Sequence, residues 1–425
     1  MQLIASKVTL RHIAMIGLLL LLIPSKGWSH PMPTSAVILR IHERRIDVRL
    51  DLPIIELRLG WGKPVPTDAN LAVKQYGEAL KAYVHQHIHP VSPDGRPWTV
   101  SVNTVTPVTE QNPDMQVDLT MTPPPGAQVD RLTFNYDVIF HQLITHTAIV
   151  SIASDWHNGQ LGGSPVIIGT MRDTTPSIVI DRSQGNWFRG FAAVFRLGAR
   201  HIAEGTDHLL FLLALLLPAP LLANGKRWGG FAGGKKAILR IAKIVTSFTV
   251  GHSITLALGA AGWVHLPGAF IESAIALSIF VSAIHALIPI FRGKEIYIAG
   301  GFGLVHGLAF ASTLTEFGFD SVTLVSSVFA FNIGIEAVQL LVILVSMPWL
   351  IMLARTRIYP AFRVAGACLT GIAAAAWFFE RAFGWHNRIG PVVEQIASHA
   401  VWLVIGLAIV AIASARTTAL QPDSA

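Results

Sequence analysis

From about residue 200 to residue 414 the chain is a succession of apolar stretches, each near the ~20 residues that cross a ~30 Å hydrocarbon layer as a helix. In lipid a backbone must satisfy its own hydrogen bonds, which leaves a helical bundle as the natural fold for such a series. Only 13% of the 425 residues are charged, against about 25% in an ordinary soluble domain. The shortage begins near residue 185. The pattern predicts seven membrane spans, near 201–222, 241–261, 269–290, 297–316, 322–350, 361–380 and 395–414.

The loops between these stretches alternate in charge. Lys226, Arg227, Lys235, Lys236 and Arg240 fall between the first two, Arg292 and Lys294 after the third, and Arg355 and Arg357 after the fifth. The connections near 262–268 and 317–321 contain neither Lys nor Arg. Basic loops stay in the cytoplasm, so the chain is expected in the inner (plasma) membrane with its C-terminus inside and its N-terminal domain outside. The formal net charge of +7 is therefore read as topology rather than as a nucleic-acid surface. No nucleic-acid partner is expected. Cys368 is the only cysteine, which excludes a disulfide framework and any multi-thiolate metal site.

Residues 1–29 have the form of a secretory signal: Lys7 and Arg11, a short apolar run from Ile13 to Ile23, then Gly27-Trp28-Ser29 before the expected cut. Residues 30–185 predict a small, mostly β, sandwich-like extracytoplasmic domain. Stretches such as Ile46–Leu52 and Met115–Leu119 alternate apolar and polar residues, and turn-rich stretches at 90–95 and 123–126 separate them. Residues 67–84 carry a helical pattern beginning at Thr67-Asp68. His85, His87 and His89 would share one face if that stretch were extended. Residues 186–200 predict an amphipathic interfacial helix, 201–416 the helical membrane domain, and 417–425 a cytoplasmic tail.

An ionisable side chain in hydrocarbon costs several kcal/mol, so such residues face the bundle interior and mark pathways or sites. In the first span His201, Glu204 and His208 have the i, i+3, i+7 spacing of one helical face, with Asp207 beside them. Asp207 is read as a metal ligand or as the acceptor that fixes an imidazole tautomer. His252 falls mid-span with Thr249 on its face, and Glu272 opens the third span. His306 is the lone polar group of a glycine-rich seam. Asn332, Glu336 and Gln339 form a stripe on one helix. His285 is read as structural. The candidate metal residues are His201, Asp207, His208, His252, Glu272, His306 and Glu336. Imidazole with carboxylate suits Ni²⁺, Co²⁺ or Zn²⁺; no organic cofactor and no catalytic residue is expected.

These residues carry a resemblance. His201-x5-Asp207-His208-Leu209-Leu210, then Phe302-Gly303-Leu304-Val305-His306-Gly307 and Phe331-Asn332-Ile333-Gly334-Ile335-Glu336, resemble the HupE/UreJ group of hydrogenase/urease accessory membrane proteins. The larger branch, with an exported N-terminal domain, is the most similar. The resemblance implies a nickel or cobalt permease that requires the first-span His, Asp and His. In the smaller nickel permeases the fourth-span motif resembles Phe-His-Gly-x-Ala-His-Gly-x-Glu. Aligned on His306-Gly307, this chain has Phe310 and Thr313 where that motif has its second His and its Glu, with Glu316 one turn further on.

The leading expectation is thus a non-enzymatic permease for a divalent metal in the lipid bilayer, with a metalloenzyme-maturation or periplasmic partner. An intramembrane metal-dependent hydrolase and a non-transporting accessory or sensor protein are the alternatives.

Overall fold

The structure, a computed structural model, describes residues 34–109, 113–317 and 319–419. The expected signal segment, His30 and residues 420–425 lie outside the described residues, as do the side chains of Thr313 and Glu316.

The two alternating stretches fold as expected. They lie in β2 (Ile46–Pro53) and β4 (Asp114–Thr122), which pair antiparallel with Val48 opposite Leu119. With β1 (Ser35–Ile41), β3 (Thr99–Val108), β6 (Ala148–Asp155) and β7 (Val166–Met171) they make a six-stranded sheet in the order β3-β4-β2-β1-β6-β7. Only β1 and β6 run parallel. Two comparable stacked sheets, which the strand spacing predicts, are not what forms. The second layer is built from α1 (Ile54–Trp61), α2 (Ala69–Gln86) and a two-stranded ribbon of β5 (Arg131–Asn135) and β8 (Ser177–Asp181). Leu39, Leu50, Leu80, Val84, Phe134 and Tyr136 share the resulting core.

Helix α2 starts where the sequence predicts, because the Asp68 carboxylate accepts from the Leu71 amide at 2.9 Å as its N-cap. It continues through Gln86. His85 is therefore helical, and the shared face expected of His85, His87 and His89 does not form.

The apolar half comprises α3 (Trp187–Glu204), α4 (Thr206–Leu216), α5 (Gly234–Ala260), α6 (Gly268–Leu287), α7 (Glu295–Gly307), α8 (Ala311–Glu316), α9 (Ser321–Leu353), α10 (Tyr359–Phe383), α11 (Ile389–Ala397) and α12 (Ala400–Ala419). Four of these, α5, α6, α9 and α10, are long and apolar enough to cross a membrane; α11 and α12, bent by 72°, make a fifth if counted as one span. The expected count of seven is not reached, for two local reasons. The first expected span is interrupted at Gly205 (φ −74°, ψ 96°), which ends α3 and leaves α4 with 11 residues. After α4 the chain turns into a hairpin of β9 (Leu221–Asn224) and β10 (Arg227–Phe231). The fourth expected span is interrupted between α7 and α8, just after the glycine run. Glycine costs about 1 kcal/mol per helical position relative to alanine.

Two glycine seams hold the bundle. A Cβ on Gly303 or Gly307 would overlap the carbonyls of Phe248 or His252, and one on Gly251 the carbonyl of Gly300, so α5 and α7 approach at backbone contact. Gly198 and Gly334 do the same for α3 and α9 against Phe331 and Phe195. The amphipathic helix expected at 186–200 is thus longer than its sequence pattern suggests, and it is packed into the bundle. The N-terminal domain rests on its start: the Trp156 ring lies against Gly190 and 5.8 Å from the Trp187 ring.

Candidate metal centre

The two helix interruptions and the α5–α7 seam converge on one place. His201 sits in the last turn of α3 and His208 in the first turn of α4, and the rings lie 4.6 Å apart across the Gly205 break. His252 comes from the middle of α5, where Gly251 and Gly303 bring it close to α7. One ring nitrogen from each of His201, His208 and His252 lies within 4.8 Å of the others. That spacing suits three ligands around a single ion.

His306 of α7 borders the cluster, its ring 5.3 Å from that of His208. Ser278 donates its one proton to the Ile275 carbonyl at 2.7 Å, so it accepts from His306 Nε2 at 2.8 Å. That bond leaves Nδ1 of His306 as the bare nitrogen. Phe211 and Phe248 wall the pair, with ring centroids 5.4 and 5.0 Å from His306. On the other side Phe310 stacks on Phe331 at 4.4 Å and lies 4.8 Å from His201.

His252 and His306 are fully enclosed and His208 is 8% exposed. Nε2 of His201, both nitrogens of His208 and of His252, and Nδ1 of His306 are buried without a hydrogen-bond partner. An unsatisfied buried polar atom costs about 1–3 kcal/mol, and six around one point need a common explanation. A neutral imidazole carries one lone-pair nitrogen, so a single ion accounts for one nitrogen from each ring and leaves the N–H groups of His208 and His252 unpaired.

The carboxylates are placed differently. Asp207 is not part of the three-imidazole set and pairs with Arg381 of α10, which also reaches Glu272 at 3.9 Å. Glu336 accepts from the Thr246 hydroxyl at 2.6 Å, and its Oε2 is buried and unpaired. Gln339 accepts from Thr249 at 3.0 Å, so the stripe on α9 faces α5 one or two turns from His252. Glu204 is exposed at the end of α3, and the break at Gly205 takes it off the face it would share with His208. His285 lies apart, accepting from the Phe291 amide at 3.2 Å and stacked on the Phe291 ring. Arg381 and Ser278 were not singled out by sequence reasoning, and Phe331 entered it only as the first residue of a motif. Only Arg381, a cation just past an apolar stretch, left a signal there.

Several helices long and apolar enough to cross a membrane mark a membrane protein, with a buried imidazole cluster at two helix breaks. The family model described as HupE / UreJ protein matches residues 177–381. The matched stretch, just under half of the chain, is similar to that family, runs from β8 to Arg381 and contains every imidazole of the cluster. No curated protein and no solved structure matches the chain.

Proposed function

We propose that this chain is a permease for a divalent transition metal, nickel or cobalt in the first instance, with His201, His208 and His252 as the ion-binding site and His306 as a fourth donor. The carrying observation is the set of three imidazoles within 4.8 Å whose buried nitrogens have no partner. The HupE/UreJ family is linked to nickel and cobalt accessory function. Imidazole without thiolate suits borderline divalent ions, Zn²⁺ included. The ion is cargo, and no organic cofactor is required.

In this reading the phenylalanines exclude water, and the imidazoles replace part of the ion's hydration shell. Protonated imidazole cannot ligate, so uptake weakens as pH falls. Glu336, Asn332 and Gln339 extend a polar stripe along the apolar interior beside the cluster and mark the onward path. The basic hairpin and loops support an inner-membrane location with the N-terminal domain outside. A hydrolase reading has less support. Among the described residues no carboxylate joins the three-imidazole set, so no general base stands beside the ion.

The test is metal uptake by cells with equal amounts of protein in the membrane. His208→Ala and His252→Ala should each reduce Ni²⁺ or Co²⁺ uptake at least tenfold; uptake equal to that of the parent protein in both would overturn the proposal. One observation favours a second reading, a metal-responsive accessory or sensor protein. The N-terminal domain rests through Trp156 on the same helix α3 that carries His201 in its last turn. Metal binding by the cluster with no uptake under any condition would select that reading.

A further inference from the structure

We infer that a pocket behind the α7–α8 break is the access vestibule through which a hydrated divalent cation reaches the imidazole cluster, an inference that rests on the permease reading. The pocket encloses about 490 Å³ and is lined by His265, Glu272, Leu308, Ala309, Ala311 and Thr315 among others. A divalent ion with six waters, at ~30 Å³ per water, occupies roughly 180 Å³. The pocket therefore takes the ion with its shell intact, whereas the three imidazoles, within 4.8 Å of one another, admit only a stripped ion.

Position supports the assignment. The floor of the pocket is Leu308 and Ala309, the non-helical residues that directly follow His306-Gly307. Phe310, the next residue, points the other way, onto His201 and Phe331. One irregular turn of backbone thus separates the pocket from the cluster. A short unwound segment is a weaker barrier than a continuous helix, and irregular backbone at membrane depth is tolerated where it lines a cavity.

The side on which the pocket lies is also fixed by packing. Ala260, Ala311, Leu314 and Phe317 share one buried cluster with Trp156 and Leu161 of the N-terminal domain. The pocket is on the side of the bundle that carries that domain. Its charge suits a cation: the lining carries one carboxylate, Glu272, and no lysine or arginine. Glu272 is 57% exposed, in a long 3.9 Å contact with Arg381, and open to an incoming ion. Such a charge at a low-dielectric cleft concentrates cations.

The experiment is thiol accessibility, using Cys368→Ser as background and Ala309→Cys as reporter. Intact spheroplasts are treated with a membrane-impermeant cationic or anionic methanethiosulfonate, and inside-out vesicles report the opposite face. Ala309→Cys should react from the side bearing the N-terminal domain, several-fold faster with the cationic reagent, and Glu272→Gln should abolish that preference. Ni²⁺ added beforehand should slow the reaction. Thr315→Cys on the facing wall is a second reporter, and Leu369→Cys, 70% exposed on α10 where lipid is expected, should stay unreactive. Labelling only from the opposite face, no labelling at either reporter, or equal rates for the two reagents would overturn the vestibule. The readout does not depend on transport, so the expected labelling in a protein that fails to take up metal would leave the vestibule standing while removing the permease.

Discussion

Arg381, near the end of α10, donates two hydrogen bonds to the carboxylate of Asp207 in the first turn of α4, at 2.9 and 3.3 Å. Asp207 immediately precedes His208. The pair therefore fixes the start of the short helix that presents one of the three clustered imidazoles, and it does so from 174 residues away in sequence.

Removing one partner should destabilise the fold more than removing both. Each side chain is about one-fifth exposed, so the penalty falls below the ~3–5 kcal/mol of breaking a fully buried pair, at about 1–3 kcal/mol for Arg381→Ala. Thermal unfolding in detergent of Arg381→Ala, Asp207→Ala and the double variant measures it. The double variant should lose less than the sum of the single losses; strict additivity would mean that the two residues act independently.

The glycine seam makes a sharper contrast. Alanine at Gly303 must displace the Phe248 carbonyl, whereas a Cβ at Gly301 meets nothing within 4 Å. Gly303→Ala should cost about 1–3 kcal/mol by forcing α5 from α7, and it should weaken metal binding by separating His252 of α5 from His306 of α7. Gly301→Ala should be neutral or stabilising by up to about 1 kcal/mol. Melting temperatures and bound metal, measured on both variants, check the pair. Equal behaviour would mean that the seam is not a tight contact.

Glu336 is expected to separate binding from transport. It lies outside the three-imidazole set and is held by Thr246 at 2.6 Å. Glu336→Gln should retain the metal stoichiometry of the parent protein while reducing uptake at least tenfold. Loss of bound metal in that variant would make Glu336 a ligand.

A pH effect is expected in the N-terminal domain. Burial holds the His146 imidazole down, at about 4; its Nε2 lies 2.8 Å from the Ser35 hydroxyl and its Nδ1 3.4 Å from Glu56. The folded form takes its proton near pH 4, while the unfolded chain takes one near the ordinary histidine value. Stability from this residue is therefore full above that ordinary value and is lost as pH falls towards 4, by about 1–3 kcal/mol. Unfolding of the parent protein and of His146→Gln between pH 7 and pH 4 measures the difference. A parent protein no more acid-sensitive than the variant would contradict it.

What could be read from the sequence follows from how local each determinant is. Alternation in 46–52 and 115–119 specifies strands, and Asp68 specifies the start of α2, because these signals act within a few residues. The glycines around His306 announced a close helix contact, which is present between α5 and α7. Seven spans were expected because hydropathy counts apolar length and cannot register an interruption such as that at Gly205, whose non-helical angles come with packing against His201 and His208. The sandwich was expected because strand spacing does not say whether helices or strands form the second layer. The candidate imidazoles were all visible as ionisable residues in apolar stretches. That His201, His208 and His252 meet while Asp207 and Glu272 turn to Arg381 depends on contacts between distant helices. No spacing rule carries that information.

The account rests on one ion held by imidazoles inside the bundle, and X-ray absorption at the nickel edge on purified, Ni²⁺-loaded protein tests it most directly. The expected spectrum shows about one ion per chain with three or four imidazole nitrogens and no sulfur. His208→Ala and His252→Ala should each lose imidazole scattering together with affinity. A parent protein that binds no ion, or an unchanged imidazole signature in both variants, would contradict the central claim.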